Sequence, residues 1–216
     1  MKIALIGATG FVGNGILNEL LQRGHQVTAI TRHAAKLTEA ENLKAVAANV
    51  LDEEEIINAL KGNDAVISAY NAGWTNPNLY IEFIAGSKAI QNAVKKSGIK
   101  RLIVVGGAGS LFIAPGQQIV DTDSFPKEWK PGALAARDYL NILKEENELD
   151  WTFVSPAIEM HQGTSGTRLG TYRTGLDSPV FDKDMRSIIS VEDLSLAIAD
   201  ELEKPQHIRK RFTVAY

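Results

Sequence analysis

The 216-residue chain has no cysteine. That absence excludes disulfides, thiolate catalysis and cysteine-held metal together. Its 23 Lys and Arg against 26 Asp and Glu leave a net charge of only −3, with no dense basic block. Nucleic acid is therefore not an expected partner, because a phosphate backbone demands a basic face. No apolar run is long enough to span a bilayer, and the chain opens on MKIALIGATG without a basic segment leading into a long apolar one. The expected location is the cytoplasm, with no membrane partner. The four histidines, His25, His33, His161 and His207, are not spaced as a ligand cluster, so no metal site is expected. Hydrophobic residues at 44% and charged residues at 23% are ordinary for a globular protein. The length suits a single α/β domain over residues 1–216.

What is present is a rhythm. The Val- and Ile-rich runs KIALI, QVTAI, LKAVAA, DAVIS, RLIVVG, WTFVS and RFTVAY alternate with helical patterns. Buried parallel strands read as continuous apolar runs because helices cover both faces, so the pattern predicts a doubly wound, mostly parallel α/β sheet. In the first helix Val12, Ile16 and Leu20 form a core-facing stripe, and Gly24 is placed to end it. Further helices are expected over Asp52 to Leu60, about Leu79 to Lys96, Ala133 to Glu146, and Val191 to Glu203. Ser190 and Asp193 are spaced as a capping pair at the start of the last one. The acidic run Asp52 to Glu55 suits a helix amino terminus. Two irregular segments, Ala108 to Gly132 and Ala157 to Asp184, follow strands of the second half. Ligands bind beyond the carboxyl ends of such strands, so both are expected to wall the substrate, with a small C-terminal cap mainly within 157–190.

GATGFVG, Gly7 to Gly13, joins the first strand to the first helix. Gly7 permits a tight turn, Gly10 lets amides approach a diphosphate, and Gly13 brings the helix close to the sheet. Ala8, Thr9, Phe11 and Val12 complete a turn whose amides and helix dipole suit an anion, giving a dinucleotide site.

The GxxGxxG spacing resembles that of extended and atypical short-chain dehydrogenase/reductases. With DAVISAYNAG, VVGGAGSL, WTFVSPA and ISVEDLSLAIADELEKP, the chain is similar over nearly its whole length to the atypical subgroup of NAD(P)H-flavin reductase-like and epimerase/dehydratase-like proteins, near the NmrA-like and biliverdin reductase B proteins. The resemblance implies a Rossmann sheet and a nicotinamide cofactor, while members differ in chemistry.

The second strand ends ITRHAAK, with Thr31, Arg32 and Lys36 and no acid. Arg32 can grip a 2′-phosphate bidentately and Lys36 adds charge, so NADP(H) is preferred and NAD(H) possible as cofactor. The resemblance places Asn49 and Val50 at the adenine, and Ser68, Ala69 and Tyr70 where the chain passes the nicotinamide ribose. Gly106 and Gly107 are expected to let the backbone run close to the cofactor. Pro156 and Ala157 resemble a segment flanking the nicotinamide.

Most enzymes of the broader family carry YxxxK. Four residues place both side chains on one helix face, where the ammonium lowers the phenol pKa. Here RDYLNILK separates Tyr139 from Lys144 by five. At about 100° per residue the two diverge by about 140°. No other tyrosine has a lysine four residues on. Lys144 is thus expected at the surface and Tyr139 to be at most a lone phenol facing the cleft. Ser110 falls where the family carries a substrate-binding hydroxyl, and His161 opens the second irregular segment as a candidate proton donor. Arg168, Tyr172 and Arg173 resemble a substrate-side hairpin able to hold an anionic or flat ligand.

A missing proton-transfer pair favours hydride transfer from NADPH to a flavin, quinone or similar conjugated acceptor, which needs proximity more than a base. An epimerase or dehydratase acting on a nucleotide sugar through other residues, and a non-catalytic NADP(H) sensor of the NmrA-like type, stay open. The expected partner is a small-molecule substrate, with the protein a monomer or homodimer.

Overall fold

The computed structural model of the protein describes residues 1–216. Strands β1 (Lys2–Ile6), β2 (Gln26–Thr31), β3 (Leu43–Ala47), β4 (Ala65–Ser68) and β5 (Arg101–Val105) are followed by a short hairpin, β6 (Phe112–Ala114) with β7 (Gln117–Gln118). Strands β8 (Asp150–Ser155), β9 (Arg173–Gly175) and β10 (Lys210–Ala215) complete the set. Helices α1 (Phe11–Gln22), α2 (Glu53–Leu60), α3 (Leu79–Ser97), α4 (Lys130–Lys144) and α5 (Val191–Glu203) connect them. One sheet carries eight strands in the order β3-β2-β1-β4-β5-β8-β10-β9. All pairs are parallel except β9 with β10. The chain winds outward from β1 to β3 and then returns to β4 on β1's other side, which opens a crevice at the carboxyl ends of β1 and β4.

Both faces are covered, which explains the unbroken apolar strands. On one face Ile3 and Leu5 pack with Ile16, Leu20, Leu194 and Ile198 of α1 and α5. On the other, Ala4 and Ile6 pack with Ile56, Phe83, Ile90 and Leu140 of α2, α3 and α4. Helix α1 ends two residues before Gly24, whose φ of 76° is left-handed and turns the chain out of the helix. Asp52 caps α2 by accepting the Glu55 amide at 3.0 Å.

Two expectations need correction. Helix α4 starts at Lys130 rather than Ala133, because a proline in the first turn sacrifices only an amide that would be unpaired anyway. It stops at Lys144, since Glu146 turns away to accept Gln91 and the Glu148 amide. Residues 157–190 form a strap. From β8 it runs over the amino end of α5, enters the sheet edge as β9, and returns to α5.

The strap is pinned by Asp193, which is fully buried. Its carboxylate accepts the amides of Leu169 and Gly170 at 2.7 and 2.8 Å and the Tyr216 hydroxyl at 2.6 Å. Ser190 does cap α5 through the Asp193 amide at 3.1 Å. The carboxylate does not reach back to the Ser190 amide, which goes to Tyr216 Oη instead.

Candidate functional site: a dinucleotide crevice

The turn after β1 is built from absent side chains. Gly7 has φ +83°, and a Cβ there would lie 2.5 Å from the Ala69 carbonyl oxygen. A Cβ on Gly13 would lie 2.0 Å from the Gly7 oxygen, so only glycine lets α1 begin this close to the turn. Gly10 caps α1 with extended geometry, donates to Gly7 O at 3.0 Å and accepts Asn14 N at 2.8 Å. The amides of Phe11, Val12 and Gly13 meet no acceptor within the chain. Ala8 is buried beneath the turn. Thr9 Oγ1 lies 3.0 Å from Thr31 Oγ1, so Thr31 ties the turn to the end of β2. A diphosphate fits this cradle: unpaired first-turn amides, a positive helix end and no side chain in the way.

Arg32, Ala47, Ala48, Asn49 and Glu55 line a cleft of about 220 Å³ beside it. Arg32 and Lys36 are exposed, and neither engages a carboxylate within the chain. Asn49 makes an Asx turn, its Oδ1 accepting Leu51 N at 3.1 Å, while its own amide donates to Glu55 Oε2 at 2.8 Å. Val50 packs against the core below. A larger cavity of about 410 Å³ lies between the 37–40 loop and edge strand β3, away from the turn.

Ser68 ends β4, and Ala69 N donates to Ile6 O at 2.9 Å, pressing this connection against the turn. Tyr70 lies over α3, where a Cβ on Gly86 would fall 2.5 Å from its ring, and its hydroxyl donates to Glu82 O at 3.1 Å. Burial pushes its phenol above the ordinary range, Glu82 adds to this, and Arg32 opposes it. Gly107 faces open space apart from Ala136 at 3.9 Å, whereas Gly106 has another reason for being glycine: a Cβ would sit 1.9 Å from the Phe153 ring. Pro156 and Ala157 are buried at the end of β8.

The expected catalytic and substrate groups are placed differently. Tyr139 is 1% exposed, edge-on to Phe83 in the core, and does not face the cleft. Burial raises its phenol far above the usual range, and Glu146, beyond the far end of α4, raises it further. Lys144 is exposed, as the helical spacing requires.

Ser110 is 2% exposed, and its Oγ and carbonyl accept Arg211 Nη1 at 3.0 and 2.8 Å. His161 spends Nδ1 on the Gly163 amide at 3.0 Å, capping its own exposed turn. Arg168 reaches Glu19 of α1 at 3.0 Å. Tyr172 donates to Asp200 of α5 at 2.6 Å, and burial with that contact raises its phenol. Arg173 donates to the carbonyls of Phe181 and Tyr216. These three arginine and tyrosine side chains fasten the strap; the family-like hairpin became an edge strand, which leaves them facing structural partners.

Arg211 was not anticipated. It is buried on β10, paired with Asp177 and bonded to Ser110. The available signal was a charge inside the apolar run RFTVAY, since a buried charge requires a partner. In register on the same sheet face, Thr213 and Ser155 each carry a buried hydroxyl without a partner.

A parallel sheet with a glycine turn, unpaired amides and an open crevice at the strand-order reversal defines a nicotinamide-dinucleotide-binding Rossmann protein. Residues 7–205 match the NAD(P)H-binding family model, so the chain belongs to that family. It is 40% identical to the Bacillus subtilis (strain 168) protein YwnB over 99% of this chain and 98% of that one. A solved structure from Bacteroides thetaiotaomicron, described as a candidate epimerase, shares 47% identity with TM-score 0.91 over 100% and 96% of the two chains. A candidate NADH-flavin reductase from Streptococcus pneumoniae TIGR4 shares 34% identity with TM-score 0.87 over 100% and 99%. A candidate exported protein from Burkholderia pseudomallei shares 43% identity with TM-score 0.87 over the full length of both. No helix of this chain is long and apolar enough to cross a membrane.

Proposed function

We propose that the protein is an NADPH-dependent oxidoreductase that passes a hydride to a flavin, quinone or similar conjugated small molecule. The carrying observation is the state of Tyr139 and Lys144. The phenol is sealed in the core and the ammonium is exposed on another face of α4, so this helix offers no acid/base pair. Epimerases, sugar dehydratases and alcohol dehydrogenases must move a hydroxyl proton, which requires such a group within reach. The name of the Bacteroides relative points toward that chemistry, but the buried phenol opposes it. The name of the Streptococcus relative agrees with hydride transfer to a ring.

In this reading Gly7 to Gly13 hold the diphosphate, with the Phe11, Val12 and Gly13 amides as donors. Arg32 and Lys36 hold the 2′-phosphate, and Asn49 and Val50 border the adenine. Ala69, Tyr70, Gly107, Pro156 and Ala157 border the nicotinamide end. The bound cofactor supplies two electrons and one proton as hydride. The second proton comes from water, which balances acceptor plus NADPH plus H⁺ against reduced acceptor plus NADP⁺. The chain's contribution is to place two rings face to face, an effect of proximity and not of acid/base assistance. The cytoplasm, with its supply of reduced nicotinamide, is where we place it, as a monomer or homodimer without nucleic-acid or membrane partners.

NADPH oxidation followed with free flavin mononucleotide and with menadione should show turnover, and a nucleotide sugar should remain unconverted. Tight NADPH binding with no turnover across a panel of such acceptors overturns the reading. For the cofactor, Arg32→Ala should weaken NADPH about tenfold, roughly 1.4 kcal/mol, and leave NADH affinity within twofold. Equal losses for both cofactors would show that Arg32 does not read the 2′-phosphate.

A further inference from the structure

The chain has three tryptophans, and two of them are unusually bare: Trp74 is 62% and Trp129 is 55% exposed, while Trp151 is 2% exposed. Tryptophan is on average a well-buried residue, so two on one rim require an explanation. Both stand at the carboxyl edge of the sheet, where the crevice opens. Trp74 lies in the connection from β4 to α3, four residues after Tyr70, and Trp129 caps α4 at the end of the connection leaving β5. Ile113 and Ile158, 47% and 44% exposed, lie in the connections leaving β5 and β8.

The rim is built, not loose. The Trp74 ring rests on Gly132 of α4, where a Cβ would be 2.8 Å from it. Its loop is braced by Asn71 Oδ1 accepting Gly73 N at 2.7 Å, and by Asn76 Nδ2 donating to Ala72 O at 3.2 Å and to Glu82 at 2.7 Å. The Trp129 amide donates to Pro126 O, and its carbonyl accepts Ala133 N at 3.0 Å. The first turns of α4, which begin at Trp129 and support the Trp74 ring, also back the cofactor-side chain, since Ala133 and Ala136 lie against Gly109 and Gly107.

We propose that Trp74 and Trp129 are the stacking wall that selects a planar, fused-ring acceptor. Large aromatic faces held open beside a cofactor crevice gain area and quadrupole contact from another flat ring, whereas each offers a hydroxyl-rich sugar only a single indole N–H. A rigid wall also loses little freedom on binding. This names the substrate class for the site and rests on the hydride-transfer reading for its chemistry.

The test titrates the whole protein, with NADP⁺ present, against oxidised flavin mononucleotide and menadione while following tryptophan fluorescence, and measures steady-state turnover with each. Trp151 is buried and supplies an internal unquenched signal. Both probes should quench the wild-type protein. Trp74→Ala and Trp129→Ala should raise Kd and KM for these probes about tenfold, the loss of a stacking face, with a smaller rise in KM for single-ring benzoquinone and NADPH affinity within twofold. Trp74→Phe should recover most of the loss. Gly132→Ala, which displaces the Trp74 ring without removing it, should mimic Trp74→Ala. Unchanged fused-ring Kd and KM in all variants overturns the wall. So does a wild-type dimer that the variants dissociate while acceptor parameters stay constant, because the rings would then be an interface. If the wild type is quenched by fused rings, and the variants are not, yet no acceptor is ever reduced, the wall stands and the hydride-transfer reading fails.

Discussion

The turn at residues 7–13 and the stretch 161–173 of the strap are both rich in small and polar residues, yet they use them in opposite ways. In the turn, side chains are missing, and the amides of Phe11, Val12 and Gly13 are left without acceptors. In the strap, Arg168, Tyr172 and Arg173 each end on a partner inside the protein. A region able to take a ligand keeps donors in reserve; a region that holds a fold together spends them. Unspent hydrogen-bonding capacity, rather than polarity, separates the two.

The largest expected effect tests the turn. Gly13→Ala should weaken NADPH at least about a hundredfold, roughly 2.7 kcal/mol, measured by calorimetric titration with an unchanged circular dichroism spectrum. Binding within threefold of wild type would show that the 2.0 Å conflict with Gly7 O relaxes harmlessly. Next is the strap. Asp193→Asn places an amide donor where two backbone amides and a phenol already donate, and should cost about 2–3 kcal/mol in urea unfolding. It should also open residues 166–172 to proteolysis while NADPH affinity stays within twofold. An affinity loss as large as the stability loss would erase the distinction between the regions. The smallest effect is at His161, whose ring caps an exposed turn. His161→Ala should cost about 0.5 kcal/mol and leave the pH profile of turnover unaltered; a lost limb in that profile would restore it as a proton donor.

Sequence patterning located the seven long strands and five helices because burial on both sheet faces writes an apolar run for each strand. It missed the β6–β7 hairpin, whose two or three residues per strand are too few to show a period, and it read β9 as part of a substrate-side hairpin and not as the sheet edge. The phosphate turn was readable because its chemistry is local: three glycines within seven residues dictate the backbone. The strap was not, since Arg168 meets Glu19 across 149 residues and Arg173 meets Tyr216 across 43. Nothing near either arginine reveals that it is engaged. Spacing alone did separate Lys144 from Tyr139, but only packing shows that the phenol is sealed away. Gly106 carries the same lesson, as a glycine beside a cofactor crevice that serves Phe153.

Gly106 is not alone. Gly86 lies under the Tyr70 ring and Gly132 under the Trp74 ring, each at a distance at which a Cβ would force the ring to shift. These rings are therefore seated from below by missing atoms, and a single methyl group at 86 or 132 would tilt the ring above it. The shape of the opening is thus encoded one layer beneath its surface. Variation at two buried glycines could retune which molecules enter without altering any residue that a ligand would touch.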